Sequence, residues 1–245
     1  LANYRYAGTR AVVTEVLASL VRTGSVPRRT PQPLPAAEAF QPVVEGLLEH
    51  WDDDVADAAF AMNMDLDEPR EIRRANLAAL ALDLGPFTRD PARPTRSDSP
   101  ADLTWWLRGA SGRVGISLLV TPEPAPRIQA LAWTPVPDPS AALVGAAEAV
   151  LAVLGEPAPA WPASVIADTS LDVEAVVRAL RAGAARFGAV SLGLPSAGDG
   201  RTEATWDLLV ERSAGTLRIA LDRFSGAVTA CELRVALRGA PAEGW

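Results

Sequence analysis

The sequence predicts an α+β fold made of two tandem modules, on three observations. A helix closed by Gly85 and another closed by Gly188 each precede a strand that carries a tryptophan, Trp105 or Trp206. A glycine turn follows each (Gly112, Gly215), then an alternating strand (Val114, Ile116, Leu118; Leu217, Ile219, Leu221) and one more strand opening near Ile128 or Val228. These landmarks recur with spacings that differ by at most three residues, the mark of a duplicated supersecondary unit. With helices first and strands last in each copy, the helices are expected on one face of a curved antiparallel sheet. The expected boundaries are an N-terminal helix and linker over 1–36, a first module over 37–137 and a second over 138–245.

Thr9 caps an expected helix that Gly24 and Pro27 stop, and Val12, Val13, Val16, Leu17, Leu20 and Val21 fall on one face of it. This helix stands outside both repeats, so it reads as the tail of a preceding domain or as a brace for the first module. Residues 25–36 form a Pro-rich linker. The first module opens with a helix whose stripe is Val44, Leu47, Leu48, Trp51 and Val55, with Glu45, Glu49, Asp52 and Asp53 mainly opposite. A second helix begins at Asp67-Glu-Pro-Arg, where acids and proline suit the first turn, and stops at Gly85-Pro86. After a polar loop over 86–101, strands are expected near 102–109, 113–121 and 127–134.

Ser140 caps the first helix of the second module, which ends near Gly155. Trp161-Pro-Ala-Ser leads through a short helical piece to Thr169, the expected start of the helix that runs to Gly188. Strands follow near 189–194, 203–211, 215–222 and 228–237. In the last of these, Cys231, Leu233, Val235 and Leu237 alternate with Glu232, Arg234, Ala236 and Arg238, the pattern of a half-buried antiparallel strand.

Composition excludes several chemistries. All 23 basic residues are arginine, so lysine Schiff bases, Ser-x-x-Lys nucleophiles and Walker-type phosphate loops are absent. One histidine and one cysteine rule out an internal disulfide and a Cys/His zinc cluster, and no metal or other cofactor is expected. A net charge of −7 argues against sequence-independent nucleic-acid binding, which needs a cationic surface. No apolar run reaches the roughly 18 residues that span a bilayer, so no membrane partner is expected and a cytoplasmic location is the default. The arginine-only, Ala- and Pro-rich composition suggests a GC-rich genome. Charge is uneven: residues 1–36 carry five arginines against Glu15 alone, and residues 37–67 carry nine acids and no arginine. The basic arm is therefore electrostatically matched to the acidic helix region, through an attraction that salt weakens.

Candidate site residues are few. His50 lies beside Trp51 and the run Asp52-Asp53-Asp54, a set that suits acid/base work or a metal, although consecutive residues of a helix point in different directions. Asp65 and Asp67 form a carboxylate pair; capping explains Asp67, and Asp65 is the first choice for a general base. Adjacent on one strand, Trp105 and Trp106 must face opposite sides of the sheet. One belongs to the core, matching Trp206, and the other stands where the second copy has Asp207. That second face either packs against another domain or lines a ligand pocket with Gln129 and Trp133. Cys231 reads as an inert buried thiol, and Ala197-Gly-Asp-Gly-Arg201 as a hairpin turn rather than a phosphate loop.

The order helix pair, loop and Trp-led meander, together with the runs Gly188-Ala-Val-Ser-Leu-Gly, Ala204-Thr-Trp-Asp-Leu-Leu-Val and Gly215-Thr-Leu-Arg-Ile-Ala-Leu-Asp, resembles nuclear transport factor 2-like and SnoaL-like proteins. The resemblance covers about residues 37–245, and similar runs occur in modules attached to bacterial hydrolases. It implies a cone-shaped α+β fold and one of two roles. The first is a non-catalytic accessory or binding protein, served by an upstream catalytic domain or a protein partner. The second is a small isomerase, cyclase or hydrolase acting on an apolar metabolite, with Asp65 or His50 as base. No functional residue of the family carries over position by position.

Overall fold

A computed structural model describes residues 16, 17, 19, 20, 31–156, 160–187, 190–210 and 214–236. Val16, Leu17, Ser19 and Leu20 are helical, inside the expected first helix; the rest of that helix, Gly188 and Leu237 lie outside the described residues. The first module contains α1 (Pro35–Glu49), α2 (Asp53–Ala59), α3 (Met64–Asp67), α4 (Arg70–Leu84), β1 (Thr88–Arg89), β2 (Asp102–Arg108), β3 (Gly112–Val120) and β4 (Ile128–Pro137). The second contains α5 (Ala141–Leu154), α6 (Val173–Phe187), β5 (Val190–Gly198), β6 (Glu203–Val210), β7 (Ala214–Leu221) and β8 (Val228–Ala236). Each module has one four-stranded antiparallel sheet with its strands in chain order.

The two modules match in the register of their last three strands. Trp105 pairs with Ile116 and Ile116 with Trp133, as Trp206 pairs with Leu217 and Leu217 with Leu233. Both sheets shift register at the same place, between Leu119 and Val120 and between Ala220 and Leu221. The N–H of Val120 donates to Ala101 O at 2.9 Å, and that of Leu221 to Thr202 O at 2.7 Å. Ahead of each sheet the entering chain is pinned alike, Leu34 N–H to Pro100 O and Ser140 N–H to Gly200 O, both at 2.7 Å. A shared bulge and shared loop bonds at equivalent positions go beyond what a common hydrophobic pattern requires. The duplication is therefore structural as well as sequential.

Each core lies between the helices and one face of its sheet. In the first, Val44 and Leu47 of α1 and Leu77 of α4 meet Leu103, Trp105, Ile116 and Leu118, with Trp105 only 1% exposed. In the second, Leu143, Ala147 and Val150 of α5 and Leu180 of α6 meet Trp206, Leu217 and Ile219. Cys231 is buried there, and burial pushes its thiol up to about 12, which removes the nucleophilic thiolate.

Several boundaries differ from those expected. The stripe from Val44 to Val55 is not one helix: α1 ends at Glu49, and Asp52 starts α2 by accepting the N–H groups of Asp54 and Val55. Trp51 consequently sits between helices, and Val55 is exposed. The helix expected from Asp67 starts at Arg70, because residues 64–67 form their own turn and Pro69 precedes the first helical residue. Residues 161–172 are turns with no helical piece, and α6 starts at Val173 rather than Thr169, with the Asp172 carboxylate accepting Ala175 N–H at 2.8 Å. The two-residue β1 was hidden in the expected loop. It pairs Thr88 with Arg108 and Arg89 with Leu107 before Pro91 ends it, since proline cannot donate to a ladder.

Candidate functional site

The densest polar cluster is built by α2, α3 and the start of α4. Residues 50–74 hold eight acids against three arginines. Asp53 and Asp57 lie one helical turn apart on α2, and Asp65 is presented by the single turn of α3. Arg70 gathers all three: Nη1 is 2.7 Å from Asp57 and 3.8 Å from Asp53, and Nη2 is 2.6 Å from Asp65. The hydrogen bonds it donates to Asp65 and then Asp57 hold its guanidinium protonated far above its ordinary value. One turn on, Arg73 is 4% exposed and passes beneath the cluster. Its Nη2 donates to Met64 O at 2.6 Å, Nε lies 3.3 Å from Glu68, and the guanidinium stands 5.3 Å from the centre of the Phe60 ring. Asn63 ties the platform to the sheet by donating to Gln129 O at 2.8 Å and to Asp67 at 2.9 Å.

Apolar side chains stand exposed along the same segment. Met62 is 86% and Leu66 77% accessible, and Ile72 is also exposed. The equivalent stretch of the second module is a turn region, where Asp168 accepts Ser170 N–H and hydroxyl and Asp172 caps α6. Among the described residues, the acidic, apolar platform thus belongs to the first copy alone.

A second cluster joins the modules. Between β1 and β2 the chain leaves the sheet at Pro91 and returns where Arg96 bridges Thr104, matching Ala197 opposite Thr205 in the second copy. That excursion carries Arg93. Its guanidinium lies 4.4 Å from the centre of the Trp106 ring, and its Nη2 donates to Pro195 O at 2.9 Å and to Asp207 at 3.2 Å. The indole of Trp106 lies across Gly115, where an added Cβ would stand 3.0 Å from ring atoms. The connection between β4 and α5 is held beside this junction by Arg108, which makes two 2.6 Å bonds to Asp138, while Arg113 binds the buried Asp90 at 2.7 Å.

The residues singled out from the sequence therefore separate. Trp105 is a core side chain. Trp106 occupies the opposite face and meets the second module through Arg93. Trp133 shares the Trp105 face by register, so Trp106 and Trp133 do not line one pocket. Gln129 meets the platform through its carbonyl oxygen. Asp65 is paired with Arg70 and Arg73. His50 is exposed just after α1, outside the Arg70 and Arg73 ion pairs. Among the described residues, no group of three His, Cys, Asp or Glu could hold a metal ion.

Arg73, Arg93, Met62 and Leu66 were missed by sequence reading. Arg93 had one signal, its place in Pro91-Ala-Arg-Pro94, where two prolines break a strand. Buried donors are another asymmetry among the described residues: Gln41 Nε2, Arg73 Nη1, Arg93 Nε, Trp105 Nε1 and Trp133 Nε1 lack a hydrogen-bond partner, all before residue 138. The hairpin at Asp199 is a turn, as expected. Burial opposes ionisation of Asp199, but the Thr202 hydroxyl and the N–H groups of Glu203, Thr202 and Arg201 outweigh it and hold the carboxyl well below the usual range. No family model, curated protein or solved structure matches the chain.

Proposed function

We propose that this is a non-catalytic binding protein whose first module presents the α2–α4 platform to a basic, apolar-faced segment of a protein partner. One observation carries this reading: exposed Met62 and Leu66 stand within an acidic cluster in which Arg70 and Arg73 are already neutralised internally. Such a surface offers apolar contact together with a net negative field, the complement of a basic amphipathic helix. An accessory role of the kind found in nuclear transport factor 2-like or SnoaL-like modules of bacterial hydrolases fits it. Support also comes from the buried carboxylate: Asp90 is neutralised by Arg113 at 2.7 Å and accepts Ala92 N–H, which suits structure better than proton transfer.

The test is fluorescence anisotropy with a labelled amphipathic helical peptide of Leu and Lys. Binding is expected at low salt, weakening as salt rises, and at least about tenfold weaker for Met62→Ser/Leu66→Ser. Equal binding by wild type and the double variant, or no binding at any salt, overturns the reading.

The unpartnered donors of Gln41, Trp105 and Trp133 favour a second reading, in which the first module holds a small apolar ligand that carries an acceptor group. Anilinonaphthalene sulfonate is a suitable probe. Binding that Trp133→Phe and Gln41→Leu leave unchanged counts against this site.

A further inference from the structure

The two copies end their sheets differently. In β4, Pro135 pairs with Val114 and Pro137 with Gly112. A proline is accommodated in such a ladder only where its nitrogen points away from the neighbouring strand. Residues 131, 133, 135 and 137 therefore direct their main-chain groups to the free edge, and two of the four lack the donor. That edge is blunted further at its start, where Ala61 N–H donates to Ile128 O at 2.8 Å.

By the shared register, Cys231, Leu233 and Val235 of β8 direct their main-chain groups outward in the same way. No proline interrupts residues 228–236. Val228 is covered, donating to Ile166 O at 2.8 Å and accepting from Asp168 N–H at 2.9 Å. Beyond it, among the described residues, no main-chain group bonds to the outer edge from Thr229 to Ala236. An unblunted edge of this length is a template for another strand.

The strand's own sequence names the occupant. Around Leu233 the run Cys231-Glu-Leu-Arg-Val235 is antisymmetric in charge. We propose that two copies of the chain join β8 to β8 antiparallel about Leu233, forming a continuous eight-stranded sheet. In this register Cys231 and Val235 of the partner subunit exchange main-chain bonds, as do the two Leu233 residues. Glu232 then stands opposite Arg234 of the partner subunit in a non-hydrogen-bonded pair, where side chains approach most closely. Glu232 already lies 2.7 Å from Arg218 on β7 and 3.0 Å from Arg234. The contact therefore extends an existing row of alternating charges across the new strand pair. A one-residue slip would set each charge against an uncharged residue and leave it unpaired, and a two-residue slip would oppose like charges, so the register is specified.

Sedimentation velocity on the full chain from about 1 to 200 μM tests this. A concentration-dependent dimer is expected for the wild type. Val235→Pro transfers the edge block of Pro135 to the second copy, and is expected to be monomeric throughout with unchanged circular dichroism and melting temperature. Arg234→Glu, an exposed change that sets Glu232 against a carboxylate, is expected to weaken the dimer by about tenfold. A wild-type monomer at every concentration, or a folded Val235→Pro protein that still dimerises, overturns the proposal. Should Val235→Pro fail to fold, unchanged dimerisation of Arg234→Glu overturns it. The surface is separate from the α2–α4 platform, so its failure leaves the peptide-binding result untouched.

Discussion

Trp106 and Asp207 occupy equivalent positions in the two sheets and are joined through one side chain. Arg93 covers the indole of the first at 4.4 Å and binds the carboxylate of the second at 3.2 Å. A position that duplication made identical has diverged into the two halves of a single contact.

Arg93→Ala is expected to uncouple the modules. The guanidinium is mostly enclosed and takes part in a cation–π contact and two hydrogen bonds, so its loss should cost roughly 1–3 kcal/mol. Calorimetry should show one unfolding transition broadening or splitting into two. An unchanged single transition would show that Arg93 contributes nothing to docking.

The adjacent tryptophans should respond differently to truncation. Trp105→Ala opens the first core and is expected to cost about 3–5 kcal/mol, as Trp206→Ala does in the second. Trp106→Ala should cost less and act as Arg93→Ala does, because both remove one contact. Denaturant unfolding of the three variants, with Arg93→Ala/Trp106→Ala to close a double-mutant cycle, distinguishes these outcomes.

Gly200→Ala should destabilise the junction at the connection between β4 and α5. The residue adopts φ +71°, and a Cβ there would stand 2.7 Å from Asp138 O. Strain and collision act together, so a loss of roughly 1–3 kcal/mol is expected. Gly226→Ala, at φ +70° with open space around its Cβ, is the control and should lose less. Equal losses would place the whole effect in backbone strain.

Acid should weaken the same junction. Hydrogen bonding from Arg108, outweighing burial, lowers the Asp138 carboxyl below its ordinary value of 3.8. A group depressed in the folded state stabilises above its unfolded value, and that contribution disappears as pH falls through the folded one. Melting temperature measured from pH 6 down through pH 4 and below should therefore fall less steeply in Arg108→Ala than in wild type, once both are referred to their own neutral values. Parallel curves would remove this pair from the acid response.

Strand and helix order, the duplication and the burial of Trp105 and Trp206 were legible because hydrophobic period and glycine turns act locally. The break at Asp52 was less legible. An apolar stripe from Val44 to Val55 satisfies helical spacing, and only the carboxylate that accepts Asp54 and Val55 N–H restarts the helix. Among site residues, Asp65 was visible as an unexplained acid, but its neutralisation by Arg70 and Arg73 depends on how three short helices pack.

The sequence by itself determined a duplicated α+β chain, the order of its strands in outline, and a chemistry without lysine, zinc cluster or disulfide. These follow from residue inventory and periodicity, which require no knowledge of distant neighbours. Tertiary structure alone decided that Trp106 is covered by Arg93 rather than lining a pocket with Trp133. It also decided that Asp65 is an ion-pair partner and that, among the described residues, nothing pairs with the edge of β8 beyond Val228, whereas prolines blunt β4. Each of these depends on residues far apart in the chain or on the side of a ladder to which a main-chain group points, and no local pattern encodes that.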